Sequence, residues 1–167
     1  MKIFIIGGCG FIGFNIFSFL KNKKYSDITV IDNFSGQSSK KNYAKIRREF
    51  KNTNFLNIDI AKNKKIFDLI KKKKPEVILA LHGQVAVTRS IINPELDFNN
   101  NFLSVFNLLE SIRKFSPKSL LINLSSNKVY GKIKKIKIYE KKLRYTSKCL
   151  IHEEYPLNFE SPYGCSK

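Results

Sequence analysis

The sequence predicts an α/β fold, a parallel sheet with helices on both faces. Three observations carry the prediction. Short continuous apolar runs alternate with stretches at helical spacing. The first run opens straight into a cluster of glycines that begins a helix. An acid closes the second run about 20 residues further on. Strands and helices alternating in this way build βαβ units, and these require parallel pairing.

Ile3, Phe4, Ile5 and Ile6 form an apolar run bounded by glycine, which reads as a buried strand and is too short for a signal-peptide core. Apolar residues at helical spacing predict a helix over 11–20. Further buried strands follow over 28–31, rich in β-branched residues, and 55–58. A helix over 66–74 ends in four lysines, whose cations suit the negative end of its dipole, and Pro75 stops it. A fourth strand is expected over 77–81, a long helix with an apolar face over 97–115, and a fifth strand over 120–124. Residues 132–148 are basic and read as a long irregular excursion after the fifth strand. No internal repeat or linker divides the chain, so residues 1–167 are expected to be one domain with about five strands.

With 167 residues, 43% of them hydrophobic, the chain can bury a core of ordinary size. A mean hydropathy of −0.25 and the lack of an apolar run near 18 residues exclude a transmembrane helix and argue against a membrane partner. Cys9, Cys149 and Cys165 show no paired spacing, which argues against a disulfide scaffold or a zinc site and fits a reducing, cytoplasmic setting. The formal charge of +18 suggests a polyanion partner at first sight. However, Lys, Asn, Ile and Phe make up 77 of the 167 residues, and their codons are all rich in A and T. Only five of the cations are Arg, and they are spread along the chain. A codon-driven composition is therefore expected, not a nucleic-acid interface.

Gly7, Gly10 and Gly13 form a GxxGxxG frame between the first strand and the first helix. In that setting the first glycine permits the tight turn, Gly10 lets the backbone approach a pyrophosphate, and Gly13 lets helix and strand pack closely. The helix N-terminus offers free N–H groups to the phosphates. Asp32 ends the second strand, where a carboxylate accepts hydrogen bonds from both adenosine ribose hydroxyls and repels a 2′-phosphate, so NAD is expected over NADP. Asp59 ends the third strand and is read equally as an adenine contact or a helix cap.

Tyr163 and Lys167 stand four residues apart, so on a helix they share a face. The lysine ammonium favours the phenolate, which can then exchange protons near neutral pH. Ser125 and Ser126 close the fifth strand, at the sheet edge where open α/β folds bind ligands. The Ser126 hydroxyl is the candidate to bond the substrate oxygen that Tyr163 serves; a helix cap is the alternative.

Taken together, GGCGFIG, Asp32, the strand-five serine and YxxxK resemble the extended short-chain dehydrogenase/reductases of the NAD-dependent epimerase/dehydratase family, which act on nucleotide sugars. The blocks around Gly83–Thr88, SSNKVYG and SPYGCSK are similar to those of its epimerases that act on CDP-sugars, and the resemblance runs through the whole chain. It implies a Rossmann-type domain in which Gly7, Gly10, Phe11, Ile12, Asp32, Asn33, Asp59 and Ile60 contact NAD. It also implies cofactor roles for Asn101, Tyr163 and Lys167, and catalytic roles for Ser126, Tyr163 and Lys167. The order Ala80-Leu81-His82 departs from the family's usual His-Leu-Ala, and Lys132 replaces a common acid. Related dehydratases carry an Asp-Glu pair after the strand-five hydroxyl; Asn127 and Lys128 stand here instead.

The implied reaction inverts a sugar carbinol carbon. Its hydrogen is too weakly acidic to leave as a proton, so the family removes it as hydride, through a transient 2-keto sugar. Family members are much longer, and the resemblance implies an N-terminal portion without its last strands and substrate domain, inactive alone. A 4-epimerase, a non-catalytic NAD-binding portion completed by a second chain, and a homodimer through the fourth helix are further expectations of the resemblance.

Overall fold

The computed structural model describes residues 1–62, 65–133, 137–147 and 151–167. Five strands, β1 (Ile3–Ile6), β2 (Ile28–Asp32), β3 (Asn54–Asn57), β4 (Val77–Ala80) and β5 (Leu120–Asn123), form one sheet. Its order is β3-β2-β1-β4-β5, and every pairing is parallel. The chain builds outward from β1 to β3, then returns to the other side of β1 for β4 and β5. The carboxyl ends of β1 and β4 therefore flank the point where strand order reverses, which is where open α/β sheets place ligands.

The period of two in β1 organises the core. Phe4 and Ile6 face one layer with Ile31, Ile66, Ile70, Ile78 and Leu108. Ile3 and Ile5 face the other with Phe17, Ile28, Val30 and Ile46. All four β1 side chains are at most 2% exposed, and burying each contributes about 1.5–3 kcal/mol. The first layer is covered by α3 (Lys65–Lys73) and α6 (Ser104–Phe115). The second is covered by α1 (Phe11–Asn22) and α2 (Ser39–Glu49). β1 and β2 are buried on both faces, which is why they read as short buried runs and not as alternating ones.

The expected strands all form, with ends shifted by one residue in places. The lysine run closes α3 as expected, and Lys74 turns out of it at φ +45°. Two expectations are corrected. The helix over 97–115 starts earlier, as α5 (Pro94–Phe98), because Asn93 Oδ1 accepts from the Leu96 amide and Pro94 occupies the first turn. It then passes through a π turn (Asn99–Leu103) into α6. The stretch 132–148, read as irregular, holds an antiparallel hairpin of β6 (Ile138–Lys141) and β7 (Arg144–Ser147), turned at Lys142 and Leu143. Parts of that stretch, and Cys149, lie outside the described residues. Helices α2, α4 (Val87–Ile92) and a 3-10 turn (Asn127–Tyr130) have no counterpart in the sequence reading. The last element is α7 (Pro162–Ser166). Among the described residues no helix is long and apolar enough to cross a membrane.

Candidate functional site

The glycine loop is shaped by close approach. Gly7 has φ +76°, and a Cβ there would lie 2.7 Å from the backbone Cα and N of His82, so β4 can run beside β1 only if position 7 is bare. A Cβ on Gly13 would fall on the Gly7 carbonyl, which is how α1 comes down onto the loop. Gly10 differs from both. Its Cβ would touch only the Gly7 oxygen, at 3.2 Å, so the protein's own packing does not demand a glycine there. Gly10 is the N-cap of α1, and the helix has neither a capping side chain nor an acid in its first turn. Its first N–H groups, at Phe11 and Ile12, are thus left to an anion, and both side chains are turned outward, 79% and 46% exposed.

Asp32 is buried, and both its oxygens are engaged. Oδ2 accepts from the Cys9 amide at 2.9 Å and Oδ1 from the Phe34 amide at 2.8 Å. Each oxygen keeps a lone pair for a ligand hydroxyl. Asn42 of α2 holds the same loop from the other side, its Nδ2 donating to the Cys9 carbonyl at 2.9 Å. Burial, and then the Asp32 charge, push the Cys9 thiol up to about 12. A cavity of about 370 Å³ runs along the carboxyl ends of β1 to β4 past Gly7, Asp32, Asn33, Asp59, Ile60 and His82. Asn33 Oδ1 accepts from the amide and hydroxyl of Ser35. Asp59 Oδ1 accepts from the Ala61 amide at 3.1 Å, a turn cap within the cavity wall. Ile60 is 4% exposed and belongs to the core.

A second cavity, of about 290 Å³, includes His82, Asn101, Asn123, Cys165, Ser166 and Lys167 in its wall. Tyr163 is 7% exposed, and its amide donates to Ser90 Oγ. Lys167 Nζ donates to the Leu124 carbonyl at 2.8 Å, and burial pushes its ammonium below the usual lysine range while Asp97 opposes the shift. Ser126 Oγ accepts from the Lys128 amide as cap of the 3-10 turn, which leaves its hydrogen free for another acceptor. Both hydrogens of Asn101 Nδ2 are used, donating to Asp97 and Ser166, while Oδ1 accepts from the Gln84 backbone amide and keeps a second lone pair.

His82 lines both cavities. The Ser104 hydroxyl donates to the Asn100 carbonyl, so Ser104 Oγ accepts from His82 Nε2–H at 2.7 Å. Nδ1 is then a bare acceptor, buried without a partner among the described residues. Burial first, then Lys167, hold the imidazole down to about 4, with Asp59 opposing. Asn42, His82, Gln84 and Asp97 were missed in the sequence. His82 and Gln84 carried a signal, since both follow β4 at the ligand-binding end of the sheet. Among the described residues no group of three His, Cys, Asp or Glu could hold a metal ion.

The sheet order, the glycine loop at its reversal point and the Tyr163–Lys167 turn near the end of β5 define an extended short-chain dehydrogenase/reductase domain of Rossmann type. The chain belongs to the nucleotide-sugar epimerase/dehydratase family whose model is described as GDP-mannose 4,6 dehydratase, matched over residues 4–167. It is 39% identical to a CDP-paratose 2-epimerase of Salmonella typhi, covering 100% of this chain and 50% of that one. A putative UDP-glucose 4-epimerase of Methanocaldococcus jannaschii is 31% identical, over 99% of this chain and 47% of that one. The solved UDP-glucose 4-epimerase of Thermus thermophilus in complex with NAD aligns with a TM-score of 0.78 at 25% identity, over 100% of this chain and 47% of that one. The chain spans about half the length of the curated relatives it matches.

Proposed function

We propose that this chain binds NAD and forms the cofactor-binding portion of a nucleotide-sugar epimerase that inverts carbon 2 of a CDP-sugar. The observation that carries the reading is the joining of Asp32 to the glycine loop at the mouth of a cavity beside β1. The uncapped first turn of α1 and the bare Gly10 suit a pyrophosphate, and Asp32 suits the adenosine ribose hydroxyls. No Lys or Arg occurs over 33–39 to offset a 2′-phosphate.

Bound NAD supplies reversible hydride uptake, which allows a carbinol carbon to be oxidised and then reduced on its other face. Tyr163 takes the proton of the substrate hydroxyl and later returns it. Lys167, one helical turn after Tyr163, would hold the nicotinamide ribose with its ammonium. Ser126 bonds the reacting oxygen with its free hydrogen. The cycle is redox-neutral, and Tyr163 ends it in the protonation state in which it began. Asn127 and Lys128 provide no acid/base pair for eliminating water, which supports epimerisation over dehydration within this family. The half-exposed Phe98, Phe102, Phe106 and Leu109 supply the apolar helix face that a homodimer of the family type needs.

A 4-epimerase is the second reading, favoured by the Methanocaldococcus relative. The test is to incubate the full-length gene product, loaded with NAD, with CDP-paratose and with UDP-glucose in D₂O. Conversion of CDP-paratose with no deuterium at the inverted carbon is expected. Conversion of UDP-glucose alone moves the assignment to carbon 4. No turnover by NAD-loaded protein leaves a non-catalytic binding role.

A further inference from the structure

Asp97 is 0% exposed, and among the described residues no cation lies within ion-pair distance of it. A carboxylate in such a place must be held by donors. Three side chains supply them. Gln84 Nε2 donates to Oδ1 at 2.8 Å, Asn101 Nδ2 to the same oxygen at 3.3 Å, and the Ser166 hydroxyl to Oδ2 at 2.5 Å. The donors come from the loop after β4, the π turn and α7. The Gln84 amide donates to Asn101 Oδ1 at 2.9 Å and closes the ring. Ser166 stands between Tyr163 and Lys167, so the network ends on the turn that carries both.

The charge matters as well as the hydrogen bonds. Lys167 is buried enough to disfavour its ammonium, and Asp97 is the negative group that counters this. His82 also faces Lys167 but is held neutral, and Asp59 faces His82.

We propose that Asp97 is a positioning residue of this site: through Ser166 it fixes the turn bearing Tyr163 and Lys167, and its carboxylate is the buried counter-charge of Lys167. The proposal rests on reading those two residues as the proton-transfer and ribose-holding pair. It adds that the pair is set by an acid in a different helix, one that touches neither cofactor nor substrate. The π turn contributes by placing Asn101 so that its amide reaches Asp97 and Ser166 together.

Two variants separate the tie from the charge. Asp97→Asn keeps the shape and removes the charge; Ser166→Ala keeps the charge and removes the tie. The readouts are the NMR titration of the Lys167 13Cε resonance and NAD affinity by calorimetry. Asp97→Asn is expected to move the Lys167 titration to lower pH. Ser166→Ala is expected to leave it in place and weaken NAD binding by about tenfold. An unmoved Lys167 titration in Asp97→Asn, or wild-type NAD affinity in Ser166→Ala, overturns the proposal. The wild type gives a check that does not depend on a variant folding. Its Ser166 hydroxyl proton, held by Asp97 Oδ2, should be protected from exchange with water in the 1H spectrum, and a freely exchanging Ser166 hydroxyl also overturns the proposal. If the wild type takes up no NAD, the cofactor reading fails, and the Lys167 titration still decides the role of Asp97.

Discussion

The Cys9 amide donates to Asp32 Oδ2 over 2.9 Å, so the acid that ends β2 also pins the middle of the glycine loop. One carboxylate thus shapes the loop that would take the phosphates and faces the cavity that would take the ribose. Asp32→Ala should lose both. NAD binding should weaken by about 1–3 kcal/mol, the scale of a lost charged hydrogen bond, and stability should fall by a similar amount because two amides lose their acceptor. Calorimetry and urea unfolding check the two effects separately. Weakened NAD binding with wild-type stability would deny Asp32 its part in holding the loop.

Gly7→Ala tests the close approach of β4. The substitution meets a positive φ and the His82 backbone at 2.7 Å, and backbone atoms cannot move aside cheaply. A loss of at least about 2 kcal/mol is expected in urea unfolding. Gly10→Ala should cost much less stability and should act mainly on NAD affinity, since only one backbone oxygen lies near its Cβ. Equal stability losses at the two positions would contradict this account of the loop.

Cys9 should be inert. Its thiol is buried and held up at about 12, first by burial and then by the Asp32 charge, so almost no thiolate exists at neutral pH. Cys165 is exposed. Iodoacetamide at pH 8 followed by peptide mass spectrometry should label Cys165 and spare Cys9 in the folded chain. Labelling of Cys9 at the rate seen in urea would show that the loop is open.

His82 should make stability depend on pH. Its imidazole lies at about 4 in the fold against 6.5 ordinarily, so between these values the unfolded chain binds the extra proton. The contribution of this group is full above about pH 6.5 and falls as pH drops towards 4, by on the order of 2–3 kcal/mol. Urea unfolding across that window should show the slope, and His82→Leu should remove this part of it. A slope unchanged by the substitution would place the titrating group elsewhere.

The central strands were legible because burial on both faces leaves short apolar runs: Ile3–Ile6 is uninterrupted, and Ile28–Asp32 is broken only by Thr29 before its closing acid. The glycine loop and Asp32 were legible because phosphate binding imposes residue types at fixed offsets. Helix α2 was not, since it presents mainly Ile46 and Tyr43 to the core among lysines and arginines. The hairpin was hidden for a related reason: six of its eight strand residues are exposed, so no alternating pattern marks them. The π turn leaves no periodic signal at all. The buried network around Asp97 was also invisible, because Gln84, Asp97, Asn101 and Ser166 come together only in the fold.

The cavity beside β1 is read as a site for NAD that discriminates against NADP. Calorimetric titration of the 167-residue chain with each dinucleotide tests it directly. Saturable binding of NAD and distinctly weaker binding of NADP are expected, with the preference lost in Asp32→Ala. Binding of NADP as tight as that of NAD, or no binding of either, would contradict it.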